Sequence, residues 1–236
     1  MLASAVENYL GEQPIRVENR EEVDGRTRHI QWVATAQANP PPTLGIIVGD
    51  WAHNTRSALD YTVFELVRRE TGDDDPRWTQ FPIATAAGDY PGQARSRLRG
   101  APAWTLPVFE GLQPFHHGAE AAFHHLAVLA AVSNRDKHRL VHTAAMQIAG
   151  SQARVSGTSM VAIHSLGQNP GSVYGERVIL DALLEVDGND FRIELDVELN
   201  VALEGYDVPI VSLLDWITNE VRDTVEWFAA SFEPSR

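Results

Sequence analysis

Hydrophobic and polar residues alternate with a period of two near the start of the chain, which predicts β-strands in that region. Two alternating stretches lie within residues 15–36, on either side of Asp24 and Gly25. An Asp-Gly dipeptide favours the tight type I′ turn of a β-hairpin. The pattern therefore predicts an N-terminal hairpin over residues 15–36.

The same alternation returns in residues 191–203, where every odd position is apolar and all even positions except Ala202 are polar. Residues 178–186 come before it, with a turn signal at residues 187–188, so the two stretches are predicted to pair as a hairpin. A third strand is predicted within residues 153–166. Together these strands predict an antiparallel β-meander.

Three segments have apolar residues at the helical spacing of three and four positions. They are predicted as long helices over residues 44–70 and 119–149 and as an amphipathic helix over residues 209–232. Thr43 is the predicted N-cap of the first helix. Ser133 and Asp136 match a capping box, which predicts a break within the second helix.

These elements predict an α+β fold. Its parts are two long packed helices with an N-terminal β-hairpin, a C-terminal antiparallel β-meander and a final amphipathic helix. One domain is predicted over residues 1–236, with a helical core over residues 44–149 and the meander plus C-terminal helix over residues 153–232. The core contains a long irregular insert, residues 71–118, whose aromatic residues are expected to anchor it to the rest of the molecule.

Composition narrows the class of protein. The chain has no Cys, which removes disulfides and thiolate chemistry, and no apolar run approaches the ~18–20 residues that cross a bilayer. The N-terminus lacks the basic and apolar regions of a secretory signal, so a cytoplasmic protein with no membrane partner is expected. The formal net charge of −13 repels polyphosphates, and nucleic-acid binding would require a local basic surface. Two segments offer one, at residues 95–99 and 135–139.

The two long helices each carry polar residues on the side opposite their predicted apolar stripe. At about 100° per residue, Arg135, His138, Arg139 and His142 share one side of the second helix. His53, Arg56 and Asp60 share one side of the first helix. The two polar strips are predicted to face each other or a second copy of the chain.

Such strips permit several interpretations. A solvated helix surface and a buried network that ties two helices together are both consistent with the pattern. Arg and His together also suit phosphodiester cleavage, because a guanidinium stabilises phosphate oxygens while an imidazole transfers protons. A third use is a metal site, in which His138 and His142 chelate one ion with Asp60 or His53 of the facing helix as a third ligand. The neighbouring Arg135 and Arg139 would repel that cation.

The remaining histidines occur as adjacent pairs, His116-His117 and His124-His125. Neighbours in sequence do not share a helix face. These residues are therefore predicted to be a helix cap and surface positions. Phosphate-binding glycine loops, serine-nucleophile elbows and His-Glu-x-x-His helices do not occur in the sequence, and no cofactor is expected.

Two motifs and a short segment between them resemble an uncharacterised group of bacterial proteins. The group carries Gly-Asp-x-x-His-Asn-x-Arg-Ser-Ala-Leu-Asp on one helix and Asp-Lys-His-Arg on another. The matching residues here are Gly49, Asp50, His53, Asn54, Arg56, Ser57, Ala58, Leu59 and Asp60, then Asp136, Lys137, His138 and Arg139, with Phe81-Pro82-Ile83 between them. The resemblance implies no particular activity.

The chain also distantly resembles HEPN-type helical domains, many of which are ribonucleases of toxin or antiphage systems. Those domains place an Arg, a polar residue and a His on one helix, with four to six residues between the Arg and the His. Arg135, Asp136 and His142 match that pattern. The resemblance implies a mostly helical fold, from which the β portion of this chain departs.

Three hypotheses for function follow. The first is a metal-independent endoribonuclease of toxin or defence type: Arg135 stabilises the phosphate, His138 or His142 acts as acid and base, and His53, Arg56 and Asp60 position them. The second is a non-catalytic binding or interaction module, in which the same residues form a structural network or hold an anionic ligand. The third is the metal-dependent enzyme. Further residues are predicted to contact the ligand, whether RNA or a small anion: Asn54, Asn134, Asp136, Lys137 and Arg139.

Overall fold

The structure, a computed structural model, describes residues 1–138, 144–169 and 171–231, without the side chains of residues 135–138, 144 and 150. The chain folds into two compact units. We call the first, Met1–Gly45 with Thr143–Ser212, the β unit. We call the second, Ile46–His142 with Leu213–Arg236, the helical unit. The single domain expected over residues 1–236 stays a prediction.

The β unit contains a short N-terminal helix and two antiparallel sheets. The helix, α1, is Leu2–Gly11, and the hydroxyl of Tyr9 donates a hydrogen bond to the carbonyl of Ala38. The strands are β1 Ile15–Asp24, β2 Thr27–Ala36, β3 Ala144–Ser156, β4 Met160–Gln168, β5 Gly171–Ser172, β6 Glu176–Val186 and β7 Arg192–Leu203. One sheet has the order β1-β2-β6-β4 and the other β5-β3-β7.

The N-terminal hairpin is confirmed, with its turn one residue later than predicted. Asp24 still belongs to β1 and pairs with Thr27, so Gly25 and Arg26 are the two turn residues. Gly25 has a φ of 58°. A positive φ at the first of two turn residues is the requirement of a type II′ turn, and glycine meets it without strain.

The predicted hairpin between residues 178–186 and 191–203 is wrong. Both segments are strands, but β6 pairs with β2 and β4, whereas β7 pairs with β3 in the other sheet. Residues of both sheets form one apolar core, in which Ala34 and Ile179 pack with Met146 and Ile148. Alternation shows which face of a strand is buried and leaves open which sheet the strand joins. The meander strands are thus present and antiparallel but change sheets between β6 and β7.

The single strand predicted within residues 153–166 is two strands, β3 and β4. The chain turns between them at Gly157, which has a φ of 135°. A Cβ atom at this position would lie 2.2 Å from the carbonyl oxygen of Asp190. Only glycine therefore fits where the chain leaves one sheet for the other.

Two long helices form much of the helical unit, and the first residues of each belong to the β unit. The first, α2, is Pro42–Thr71, and the C-terminal α6 is Ile210–Ala230. Both confirm the helices predicted from the sequence. The helix α2 begins at Pro42, so Thr43 is not its N-cap; proline is favoured at the first helical position because its missing N–H has no partner there.

The predicted helix over residues 119–149 is wrong in its second half. A 3₁₀ segment, Pro114–Phe123, leads into α5, His125–His138, and β3 follows from Ala144. Residues 145–148 are all buried. A short run that is apolar on both sides does not distinguish a strand from a helix. The helix α5 also continues through Ser133, so the predicted break at the capping box is wrong.

The insert over residues 71–118 is irregular only in part: residues 72–89 contain no helix or strand, whereas most of the remainder is helical. It contains α3, Tyr90–Arg97, and α4, Leu106–Gly111, with a 3₁₀ turn at Ala103–Thr105. Phe109 anchors it, because its ring packs at 5.2 Å from Phe81 and 4.9 Å from Phe228, measured between centroids. The predicted anchor Trp78 is instead exposed.

The α+β fold class is confirmed, with its N-terminal hairpin and C-terminal helix in place. Within residues 1–138, 144–169 and 171–231, the longest helices carry too many polar side chains for any of them to span a bilayer.

Candidate functional site

A polar cavity of about 250 Å³ lies within the helical unit. Parts of α2, α3 and α5 line it, together with the extended chain before α3. Its lining residues are Arg56, Asp60, Gln80, Ile83, Gln93, Arg97, Ala130, Ser133 and Asn134. Arg56 and Asp60 of the predicted α2 strip therefore meet Asn134 of α5, a predicted ligand contact that does not belong to the predicted strip of the second helix, at one cavity.

Arg56 and Asp60 form an ion pair one helical turn apart on α2. The Nη2 of Arg56 lies 3.0 Å from Oδ1 of Asp60, and the two side chains are 13% and 28% exposed. Both also bind the backbone of Phe81: Arg56 donates to its carbonyl oxygen, and Asp60 accepts from its N–H at 2.9 Å. The pair thus fixes a residue 21 positions further along the chain.

Most hydrogen bonds of segment 81–84 come from side chains, although the carbonyl of Ala84 accepts from the backbone N–H of Phe115 at 3.2 Å. Gln113 is buried; its Nε2 donates to the carbonyl of Pro82 at 3.0 Å, and its Oε1 accepts from the N–H of Ala84 at 2.9 Å. Gln93 accepts from the N–H of Ile83 at 3.2 Å. An extended segment without a strand partner needs such bonds, because buried backbone groups left unpaired cost stability.

The electrostatics of the cavity centre on two guanidinium groups. Burial lowers the pKa of Arg56, the charge and hydrogen bond of Asp60 oppose that shift, and the nearby charge of Arg97 lowers the pKa further. Arg97 itself donates to Oε1 of Gln93 at 2.8 Å. Each guanidinium group brings a positive charge to the cavity. Two cations and one carboxylate therefore line the cavity.

The prediction that Arg56 lies on the face of α2 opposite the core is wrong. Ala52, Leu59 and Val63 are fully buried, and Arg56 lies between them at the helical spacing of three and four residues. The buried stripe of α2 is wider than the sequence indicates and includes Arg56 at its edge. Burial makes its ion pair stronger than that of a solvated surface arginine.

His53 and Asn54, both on α2 and both exposed, do not line the polar cavity. Asn54 instead borders a shallow pocket of about 490 Å³ beside Val225 and Ala229 of α6. The functional roles of His53 and Asn54 stay predictions.

The backbone of residues 135–138 continues α5 beyond the cavity, and His138 follows Asn134 by one turn. The side chains of Arg135, Asp136, Lys137 and His138 lie outside the described residues, as do Arg139 and His142 entirely. Their predicted roles, including the metal alternative of His138, His142 and Asp60, are not tested. Elsewhere, within the described part of the chain, no cluster of three His, Asp or Glu residues suits a metal ion.

Sequence reasoning missed three residues that shape the cavity: Gln93, Arg97 and Gln113. The first two lie four residues apart on α3, a spacing that does signal a side-chain pair on a helix. Gln113 gives no such signal, because its partners Pro82 and Ala84 are about thirty residues away. The sequence pattern groups Arg97 only with Arg95 and Arg99, as part of a basic segment.

A second group of titratable residues contradicts its prediction. His125 is 9% exposed and its Nε2 finds no hydrogen-bond partner among the described atoms. The ring of His124 lies 4.1 Å from that of His125 and 4.6 Å from that of His117. Burial first, and neighbouring imidazoles second, lower the pKa of His124 and of His125 to about 4. The prediction of surface positions is wrong for His125.

Comparisons with protein-family models, curated proteins and solved structures found no match to this chain. The resemblances to the bacterial group and to HEPN-type domains therefore stay predictions.

Proposed function

We propose that the polar cavity of the helical unit binds a small anionic ligand that carries a phosphate or a carboxylate group. The chain would act as a binding module, the second of the hypotheses drawn from the sequence. The observation that supports this best is that the guanidinium groups of Arg56 and Arg97 line the same cavity together with one carboxylate, that of Asp60.

The charge balance supports an anion. Arg56 and Arg97 repel each other, and a single carboxylate only partly offsets them. An anion between the two guanidinium groups would relieve this repulsion, and it would do so in surroundings that water screens less than at the surface. Arginine also matches phosphate and carboxylate by paired parallel hydrogen bonds.

The fixed position of Arg56 supports binding without rearrangement. Its bonds to Asp60 and to the carbonyl of Phe81 already restrict the guanidinium. A side chain that is ordered before the ligand arrives loses little further entropy on binding. Uncharged hydrogen-bonding groups, Gln80, Ser133 and Asn134, line the rest of the cavity and offer contacts for the remainder of the ligand.

The test measures thermal unfolding and calorimetric binding with inorganic phosphate, pyrophosphate and succinate as probes. A ligand at about 100 times its Kd stabilises the native state by about 2.7 kcal/mol, which gives a clear shift in Tm. Arg97→Gln should abolish the shift, because it removes one guanidinium from the cavity. Arg222→Gln is the control, since Arg222 is an exposed arginine of α6 in the helical unit and lies outside the cavity.

The proposal fails if no probe shifts the Tm of the wild-type protein. It also fails if Arg97→Gln and Arg222→Gln reduce binding equally, since binding would then reflect general surface charge.

A second candidate is the metal-independent endoribonuclease. It is favoured by the meeting of Arg56 and Asp60 with Asn134, one turn before His138 on α5. Phosphodiester cleavage needs a guanidinium near the phosphate and an imidazole to move protons. Purified protein is incubated with a mixed RNA pool, with and without EDTA. Cleavage that persists in EDTA and disappears in both His138→Ala and His142→Ala would support this candidate, and intact RNA would eliminate it.

A further inference from the structure

A groove of about 900 Å³ in the helical unit combines exposed arginines with an exposed tryptophan. The end of α2, the chain that follows it and the end of α3 form its walls. The lining residues are Val67, Thr71, Asp73, Asp75, Pro76, Arg77, Trp78, Arg95, Ser96, Arg99 and Gly100. We call this surface the arginine–tryptophan groove; it shares no lining residue with the polar cavity.

Trp78 is the most unusual residue of the groove. Its side chain is 85% exposed, and its backbone has a φ of 70°. A bulky residue with an L configuration is strained in this region, at a cost of about 1–3 kcal/mol. Since an exposed indole gains little from burial to offset that strain, folding alone does not account for a tryptophan here. A ligand that covers the indole would account for a tryptophan at this position.

Arg77, Arg95 and Arg99 provide the charge. All three are exposed, and in the described chain none of them forms an ion pair with a carboxylate. Guanidinium groups without a carboxylate partner are free to bind a phosphate, to which arginine donates paired hydrogen bonds.

The two acidic residues of the groove, Asp73 and Asp75, have a structural contact of their own. The carboxylate of Asp73 accepts the N–H of Asp75 at 3.0 Å, and the hydroxyl of Thr71 accepts the N–H of Asp73 at 3.2 Å. Such bonds fix a turn. The turn carries the chain from the end of α2 toward Arg77 and Trp78. The groove retains three guanidinium groups against two carboxylates.

Two further contacts hold the walls in a fixed relation. The N–H of Gln80 donates to the carbonyl of Arg97 at 3.3 Å, which joins the chain after Trp78 to α3. Gly100 has a φ of 86°, and a Cβ there would lie 3.1 Å from Cγ1 of Val67. Glycine thus permits the close approach of the chain after α3 to α2, and the groove is formed before any ligand binds.

We propose that the arginine–tryptophan groove binds a nucleotide unit, with the base stacked on Trp78 and the phosphate held by Arg95 and Arg99. An exposed aromatic ring beside guanidinium groups is the arrangement that single-strand-binding proteins use, because every base has a stacking face and every linkage a negative charge. The volume suits one or two nucleotides. A free nucleotide and a single strand share this chemistry, and the experiment distinguishes them.

Binding is measured by fluorescence anisotropy at low ionic strength, with a labelled oligouridine of about ten nucleotides, a length typical of one strand-binding site. Trp78→Gly should weaken binding by about 5- to 150-fold, the loss expected from one stacked base. Glycine accepts the positive φ, so this variant is not expected to unfold. Phe123→Ala is the matched control, since Phe123 is also an exposed aromatic residue of the helical unit but lies outside the groove.

Two further measurements separate stacking from charge. A labelled abasic strand of the same length should bind more weakly than oligouridine and be insensitive to Trp78→Gly. Arg95→Gln and Arg99→Gln should each reduce the slope of log K against log salt by about 0.7. Uridine monophosphate that displaces the oligomer completely identifies a site for free nucleotides, whereas incomplete displacement identifies a site for a strand.

The proposal is overturned if wild-type protein fails to bind oligouridine at low ionic strength, or if Trp78→Gly binds it as tightly as Phe123→Ala. Neither result depends on the polar cavity, because Arg97→Gln tests that site separately. Cleavage of RNA is tested separately with His138→Ala and His142→Ala. A failure of the groove proposal is therefore distinguishable from a failure of the ribonuclease candidate.

Discussion

The polar cavity and the arginine–tryptophan groove both present guanidinium groups within the helical unit, but in different states. Arg56 of the cavity is mostly buried, ion-paired with Asp60 and bonded to the backbone of Phe81. Arg95 and Arg99 of the groove are exposed and form no ion pair with the described carboxylates. A buried arginine needs a partner within the protein for the native state to be stable, because an unpaired buried charge is costly. An exposed arginine is hydrated and needs no such partner.

This difference predicts large losses of stability when the buried side chains that bind segment 81–84 are substituted, and small losses when the exposed arginines of the groove are substituted. The largest is expected for Gln113→Ala. It removes the bonds to Pro82 and Ala84 together with one to the carbonyl of Phe109 at 2.7 Å, all of them buried. Buried groups left unpaired cost about 1–3 kcal/mol each, so a total loss of about 3 kcal/mol is expected in urea unfolding. Gln80→Ala serves as the control, and equal losses for the two variants would contradict the importance of the segment 81–84 contacts.

The buried His125 offers a contrast to Arg56, because among the described residues it pairs with no carboxylate, and its imidazole is neutral at pH 7. Its pKa of about 4 in the native state lies below the ordinary value of 6.5 expected in the unfolded chain. Between those values the unfolded state binds a proton that the native state does not, so stability is complete above pH 6.5 and falls as pH approaches 4. At about 1.4 kcal/mol per pKa unit, the loss is on the order of 2–3 kcal/mol.

Urea unfolding at several pH values between 4 and 7 measures this loss, and His125→Gln should flatten the dependence. His124, whose pKa burial also lowers to about 4, and the carboxylates of the chain remain in the variant, so the change in slope reports His125 alone. A pH dependence identical to that of the wild type would show that His125 is protonated in the native state.

Arg56→Ala should cost about 2 kcal/mol, since it leaves the Phe81 carbonyl without its donor and the Asp60 carboxylate with the N–H of Phe81 but no cation. The part of Asp60 that is solvent-exposed moderates the loss. A double-mutant cycle with Asp60→Ala measures the coupling of the pair, expected at about 1 kcal/mol. Arg99→Ala, from the groove, should change stability by less than about 0.5 kcal/mol. If the two arginine variants behave alike, the contrast between cavity and groove is lost.

These residues also show what a sequence can predict. Helices α2 and α6 and the N-terminal hairpin are predictable because their periodicity is a local property, repeated over many residues. The cavity is only half predictable. The motif on α2 identifies Arg56 and Asp60, but their partner Phe81 and the contribution of Gln113 depend on contacts between distant segments.

The errors have the same origin. Residues 145–148 resemble a helix in sequence because their burial on both sides gives no period, and the sequence does not reveal that β7 pairs with them. The strand β7 itself is recognisable from its alternation, but its partner is not, since alternation is the same in either sheet. Local pattern thus predicts the elements, and contacts between distant segments determine their partners and the site.

A last predicted effect on stability has the opposite sign. Trp78→Gly should raise stability by up to about 1 kcal/mol, because glycine relieves the positive φ of 70°, although its greater freedom in the unfolded chain offsets part of the gain. The measurement is the urea midpoint at unchanged m-value, with Trp78→Phe as the control that keeps an aromatic ring at the strained backbone. A lower midpoint for Trp78→Gly would mean that the indole stabilises the fold. The same variant is expected to lose oligouridine binding, and a gain in stability joined to a loss of binding is what a residue retained for a ligand, and not for the fold, should show.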